Sequence, residues 1–194
     1  MRTLCHYQVC VKRFKCTDNS VLIHEANILS KFTHINLPYL FGVCLRSRPS
    51  VVTSFHGFGN RAVTIHSAVY LRSKDIKDIV SNLSWMVILQ QVCTGLEHLH
   101  CQQTIIHNDL KCDNIVLTSS LQACINPVII DFGKACLLAE GKKYNLSHKQ
   151  REVYKLKHPH VAPDVRDGLC KQTHLIFFFW KDYGYCHQFS TISG

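Results

Sequence analysis

His107-Asn108-Asp109-Leu110-Lys111-Cys112-Asp113-Asn114-Ile115-Val116-Leu117 is the stretch whose reading orders the rest of the chain. It changes character at Asn114. Before that residue it is polar and turn-prone, and after it three branched or bulky apolar residues run together as a strand entering a core. Asp109 and Asn114 stand five positions apart. That gap lets a loop fold back so that a carboxylate and a carboxamide reach one site from its two ends, with the apolar strand as anchor.

The whole sequence of 194 residues allows one domain with a real core, or two small lobes, and not several domains. Apolar content is 46% and charged content 18%, the balance of an ordinary folded chain without a low-complexity tail. The net charge of +9 raises nucleic acid as a partner, but the 22 Lys and Arg are scattered, without a basic run or aromatic platform, and nucleic-acid binding is not expected. A basic surface near nucleotides or acidic substrates accounts for the charge equally well. The eleven cysteines include no C-x-x-C, and the thirteen histidines do not pair with them at finger spacing. A structural zinc site is therefore not expected, and with no signal-like N-terminus the reading is free, mostly buried thiols in a reducing compartment. The longest apolar run, Leu175 to Trp180, has six residues, against about 20 for a membrane helix. No membrane span is expected.

Residues 7–14 alternate as a half-buried strand should, and the Asp18-Asn19-Ser20 cluster reads as a cap. From Val21 the positions Leu22, Glu25, Ala26, Ile28, Leu29 and Phe32 recur at helical spacing, a helix of about three turns. Thr33 to Pro38 breaks it, Tyr39–Leu45 and Ser50–Gly57 read as strands, and Gly57-Phe58-Gly59-Asn60-Arg61-Ala62 as a turn using glycine at positive φ. From Asp75 to Cys101 one or two helices are expected, capped near Asn82 or Ser84, and Val128-Ile129-Ile130 reads as a buried strand. His98 and His100 point to different faces of a helix and are not expected to bind metal.

Five motifs follow one another in one order: Val9-Cys10-Val11-Lys12, then Glu25 within His-Glu-Ala-Asn-Ile-Leu, the His107 to Leu117 stretch, Asp131-Phe132-Gly133, and Ala162-Pro163-Asp164. As a set they resemble the V-A-I-K lysine, the glutamate helix, the H-R-D-L-x-x-x-N catalytic loop, D-F-G and A-P-E of the eukaryotic protein kinases. The resemblance implies an α+β, bilobal, protein-kinase-like fold, with residues 1–56 a partial N-terminal lobe and residues 57–194 a partial C-terminal lobe. It implies ATP and Mg2+ as cofactors and a protein as substrate, in an intracellular, cytoplasmic setting; oligomeric state is not read from it. Asp109 would be the catalytic base, Lys111 the cation that marks serine/threonine more than tyrosine kinases, and Asn114 and Asp131 the magnesium ligands. Lys12 would reach the ATP phosphates while paired to Glu25. Thr53 would gate the adenine pocket, with Phe55, His56 and Val116 lining it, and Phe132 would pack beneath the glutamate helix.

Two departures accompany the resemblance. Asn108 stands where the family usually has the arginine that meets a phosphorylated activation segment, and the hydroxyls available in residues 131–164 are Tyr144, Ser147 and Tyr154. The strands and glycine-rich loop expected before Val9 and the helices expected after Asp164 do not match, and Phe179 to Gly184 resembles only the tail of the family's S-D-x-x-S-F-G helix. The expectation is a small lobe lacking its first strands and a helical lobe lacking its last helices, truncated at both ends. The activity implied is phosphoryl transfer to a Ser/Thr, less readily a Tyr, hydroxyl; the alternative is a catalytically dead, kinase-like interaction module.

Overall fold

A computed structural model describes residues 7–15, 19–46, 48–70, 85–119, 125–138, 147–149 and 153. The chain divides into two compact units, Met1–Ala139 and Glu140–Gly194. In the second the described residues are exposed, and Tyr144, Tyr154, Ala162-Pro163-Asp164 and Phe179 to Gly184 lie outside the described residues. So do Asn82 and Ser84.

The first unit is mixed α and β. Strand β1 (Val9–Arg13) is followed by helix α1 (Ser20–Leu29), then β2 (Leu40–Cys44) and β3 (Ser50–Ser54), which form an antiparallel sheet in the order β1-β3-β2. After a turn come β4 (Val63–Thr64), α2 (Ile65–Tyr70) and α3 (Trp85–Glu97), the last running into a π turn over His98–Gln102. Beyond them lie β5 (Ile105–Ile106), a 3-10 turn (Cys112–Asn114), β6 (Ile115–Ser119), β7 (Ile125–Ile129) and β8 (Cys136–Leu137). β4, β6 and β7 make a second antiparallel sheet, and β5 pairs with β8.

Helix α1 forms where its apolar stripe predicts, with Leu22, Ala26, Ile28 and Leu29 buried. Its entry differs from the expected cap. Asn19 makes no side-chain cap bond; its amide instead reaches Leu45 O at 3.4 Å. Helix α3 buries Ile88, Val92 and Leu96 on one face and packs against β7. At Gly59 φ is 59°, and Phe58 and Arg61 exchange backbone hydrogen bonds of 2.9 and 3.1 Å. This is the glycine turn the sequence predicts.

Two expectations are corrected. β1 is not half-buried: Val9 is partly covered and Cys10 to Arg13 are exposed, because β1 lies at the edge of its described sheet. Nor, among the described residues, are the thiols mostly buried: Cys10, Cys44, Cys93 and Cys101 are exposed, and Cys112 and Cys136 are buried.

Asn36 ties α1's exit to the second sheet. Buried to 2% exposure, its amide nitrogen donates to Pro127 O at 2.8 Å and Asn126 Oδ1 at 3.0 Å, and its carbonyl accepts from Ile129 N–H at 2.9 Å. Pro127 is accommodated because β7 lies at the edge of its described sheet, where a missing N–H on the outer side breaks no ladder bond. Gly95 on α3 makes room for the loop, since a Cβ there would lie 3.0 Å from Asn36 Cβ. Replacing Asn36 by Ala strands buried acceptors, and the expected cost is about 1–3 kcal/mol. Urea unfolding should show a lower midpoint for Asn36→Ala than for the parent, while the exposed control Lys31→Ala should leave it in place.

Candidate active site

An opposed antiparallel pair shares one face of a sheet. Lys12 opposes Val51, and Val51 is 1% exposed, so the Lys12 side chain leaves β1 on the covered face, toward α1. Glu25 lies on the buried stripe of α1 at 4% exposure, where an unpaired carboxylate is costly. Lys12 Nζ resolves this by meeting Glu25 Oε1 at 2.9 Å and Oε2 at 2.8 Å. The same ammonium reaches Asp131 Oδ1 at 2.7 Å. Burial alone would lower the Lys12 pKa, but the bonds to Asp131 and Glu25 raise it above the ordinary lysine value. Asp131 is the reciprocal case: burial pushes it up, and Lys12, with the Gly133 N–H, holds it below the usual aspartate range.

Asp131 has φ of 65°, a conformation costly for a residue with a Cβ. Phe132 follows it into the core at 0% exposure, its ring centroid 4.9 Å from those of Phe32 and His107. His107 is buried and fixed from both nitrogens, with Nε2 against Ile130 O at 2.9 Å and Nδ1 accepting the Asp109 N–H at 3.3 Å. That pattern is the neutral ring, and burial lowers its pKa accordingly.

The Asp109 carboxylate is 10% exposed and held from several sides. Oδ1 accepts from Lys134 Nζ at 2.9 Å. Oδ2 accepts from Lys111 Nζ at 3.3 Å and Asn114 Nδ2 at 3.3 Å. Asn114 Nδ2 also donates to Asp109 O at 2.8 Å, which closes the five-residue loop. Asn114 O accepts from Ile130 N–H at 2.8 Å, so the chain preceding Asp131 is bonded to the residue that ends the loop. Burial alone would raise Asp109; Lys134, then Lys111, lower it below the ordinary value.

Asp109, Lys111 and Asn114 are thus one cluster, and Lys12, Glu25 and Asp131 another. Thr53 is partly buried on β3, opposite Cys10 and Leu40. Phe55 donates its N–H to Gln8 O at 3.1 Å, and the His56 ring lies 2.7 Å from Ser54 Oγ with its pKa lowered by burial. Val116 is 3% exposed on β6. Oxygen donors from a carboxylate and a carboxamide suit a hard cation such as magnesium, which Asp131 and Asn114 supply. Two contacts had no periodic signal in the sequence. Lys134 on Asp109 is one, and the other is His24 Nε2, 2.7 Å from Ala135 O, which ties the glutamate helix to the segment after Phe132.

Comparison with known proteins identifies the family. The family model "Protein tyrosine and serine/threonine kinase" matches residues 2–170. The cysteine-rich receptor-like protein kinase 10 of Oryza sativa subsp. japonica is 28% identical over 163 residues, 80% of this chain and 23% of that protein. The LEAF RUST 10 disease-resistance locus receptor-like protein kinase-like 2.8 of Arabidopsis thaliana is 33% identical over 142 residues, 71% of this chain and 14% of its own. The meiosis-specific serine/threonine-protein kinase mek1 of Schizosaccharomyces pombe is 30% identical over 120 residues, 62% of this chain and 25% of its own. The chain spans a quarter or less of each of these relatives. It belongs to the protein kinase family.

The lowered Asp109 pKa sets a pH dependence. A carboxyl depressed in the folded state adds stability above its unfolded pKa and loses it as pH falls through the folded one. Stability should therefore fall as pH drops below the ordinary aspartate value of 3.8. Asp109→Asn should flatten that acid limb, read as urea midpoints of parent and variant across the same pH series.

Proposed function

We propose that this member of the protein kinase family transfers the γ-phosphoryl group of magnesium ATP to a serine or threonine hydroxyl of a protein substrate. One observation carries the reading: Lys12, Glu25 and Asp131 form a charge cluster, and the backbone bond from Ile130 to Asn114 joins the chain entering Asp131 to the Asp109 loop. Asp131 and Asn114 would hold the magnesium ion, which when bound neutralises charge on the phosphates. Lys12, oriented by Glu25, would bind the α- and β-phosphates. Asp109 would accept the proton of the attacking hydroxyl as its oxygen bonds the γ-phosphorus and the bond to the ADP oxygen breaks. Lys111 would offset the negative charge that develops on the transferred group.

Serine or threonine is preferred to tyrosine because Lys111 stands two residues past Asp109, and because the relative mek1 is named a serine/threonine kinase. Residues 1–56 and those from 57 onward would supply the two sides of the nucleotide site, with Thr53, Phe55, His56 and Val116 around adenine. A cytoplasmic setting supplies the ATP. Among the described residues no helix is long and apolar enough to cross a membrane.

The two aspartates separate an enzyme from a kinase-like interaction module. Asp131→Ala should abolish magnesium-dependent nucleotide binding and turnover together. Asp109→Asn should keep binding and lower transfer by a factor of about 10² or more, the scale of a lost positioned base. The measurements are phosphorylation of a generic basic protein and calorimetric ATP binding, in parallel. Transfer that is absent in the parent, or as fast in Asp109→Asn, would exclude the catalytic assignment.

A further inference from the structure

Asp131 stands beside a turn that helix α1 grips. Its carboxylate accepts from the Gly133 N–H, and Gly133 lies inside the turn that Ala135 N–H closes onto Phe132 O at 3.0 Å. A Cβ at Gly133 would come 3.4 Å from Glu25 Oε2 and 3.5 Å from Lys12 Nζ, so the turn runs along the ion cluster. Asp131 has φ of 65°, a conformation that persists only where the surroundings over-determine it. The place of its carboxylate therefore depends on what holds the turn.

Two consecutive residues of α1 reach it. Glu25 acts through Lys12, which bonds Asp131 Oδ1 at 2.7 Å. His24 acts directly: its Nε2 lies 2.7 Å from Ala135 O, and because a carbonyl only accepts, that nitrogen carries the proton. Neighbouring helix positions project about 100° apart, which is how one helix meets both ends of the turn. Phe132 and Ala135 are at 0% exposure, so the bond from His24 serves a carbonyl that bulk water does not reach.

Resting on the phosphoryl-transfer reading above, we infer that His24 is a positioning residue for metal binding: by holding Ala135 O it keeps the Phe132–Ala135 turn, and with it the Asp131 carboxylate, where magnesium is bound. Lys12 does not need this contact, because Glu25 holds its ammonium at 2.9 and 2.8 Å. Loss of the His24 bond therefore acts on the metal and not on the phosphates. From the loop side Asn108 still bonds Lys134 O and Cys136 Sγ, so the segment loosens without being released.

The test compares the 194-residue parent with His24→Phe, which keeps a ring and loses the donor, and with His24→Gln, whose amide restores it. Amide hydrogen exchange is followed by mass spectrometry over residues 131–138 and over β6 and β7. Affinity for a non-hydrolysable ATP analogue is measured by calorimetry, with magnesium and with EDTA. In His24→Phe, residues 131–138 should exchange about fivefold faster, the scale of one hydrogen bond, with β6 and β7 unchanged. The ratio of magnesium to EDTA affinity should fall by about the same factor, and His24→Gln should bring both readings back to within about twofold of the parent. Exchange that is unchanged in His24→Phe, or raised equally in β6 and β7, would overturn the inference. So would a magnesium ratio that stays at the parent's value while exchange rises, or His24→Gln behaving as His24→Phe does. If the parent itself shows no magnesium-dependent binding, the phosphoryl-transfer reading falls; exchange that still follows residue 24 then upholds the hold on the turn, and exchange that does not overturns that too.

Discussion

The β6–β7 ladder is the constraint on which the candidate site depends. Its register runs from Ile115 opposite Ile129 to Ser119 opposite Ile125, with Ile115, Leu117, Val128 and Ile129 at 0% exposure. Asn114 is the residue before β6, and Asp131 comes two residues after β7 ends. One ladder therefore fixes where the Asp109 loop closes and where Asp131 emerges, and a register slip of one residue would turn one apolar strand over against the other. The bond from Ile130 N–H to Asn114 O at 2.8 Å extends the pairing beyond the last strand residue.

Everything nearer the first sheet is governed by the cost of the buried Glu25 carboxylate. It forces Lys12 inward from an otherwise exposed strand, and the ammonium so placed also holds Asp131. Breaking such a set by removing one charge leaves the others uncompensated, so these residues are coupled more tightly than their separation of 119 positions between Lys12 and Asp131 implies. Phe132 adds an apolar link, since its ring lies equally close to Phe32 and His107.

The parts legible in the sequence are those whose cause is local. A 3.6-residue stripe marks α1, a run of branched residues marks β6, and motif spacing identifies Lys12, Glu25, Asp109, Asn114 and Asp131 as candidates before any geometry. What escaped depends on a partner distant in the chain. Alternation in residues 7–14 reports which side chains share a face, but not how far that face is covered, and β1 proved exposed at its sheet edge. The described cysteines misled for the same reason: apolar character predicts burial on average, while Cys10 and Cys44 sit on strands of a thinly covered sheet. Asn36 looked like one turn residue among six, and nothing near it announced that its amide would meet Pro127, 91 positions away.

Asn108 shows how a departure from a family pattern is absorbed. At φ of 60° it takes a backbone conformation that asparagine tolerates better than most side chains. Its amide then bonds Lys134 O and, at 3.0 Å, Cys136 Sγ, so a residue that carries no charge acts as a brace for the segment after Phe132. Positive charge beside Asp109 comes instead from Lys111 in the loop and from Lys134, the residue whose carbonyl Asn108 braces. The charge that an arginine at this position would bring to the loop is thus supplied in part from the facing segment, whose backbone Asn108 itself holds.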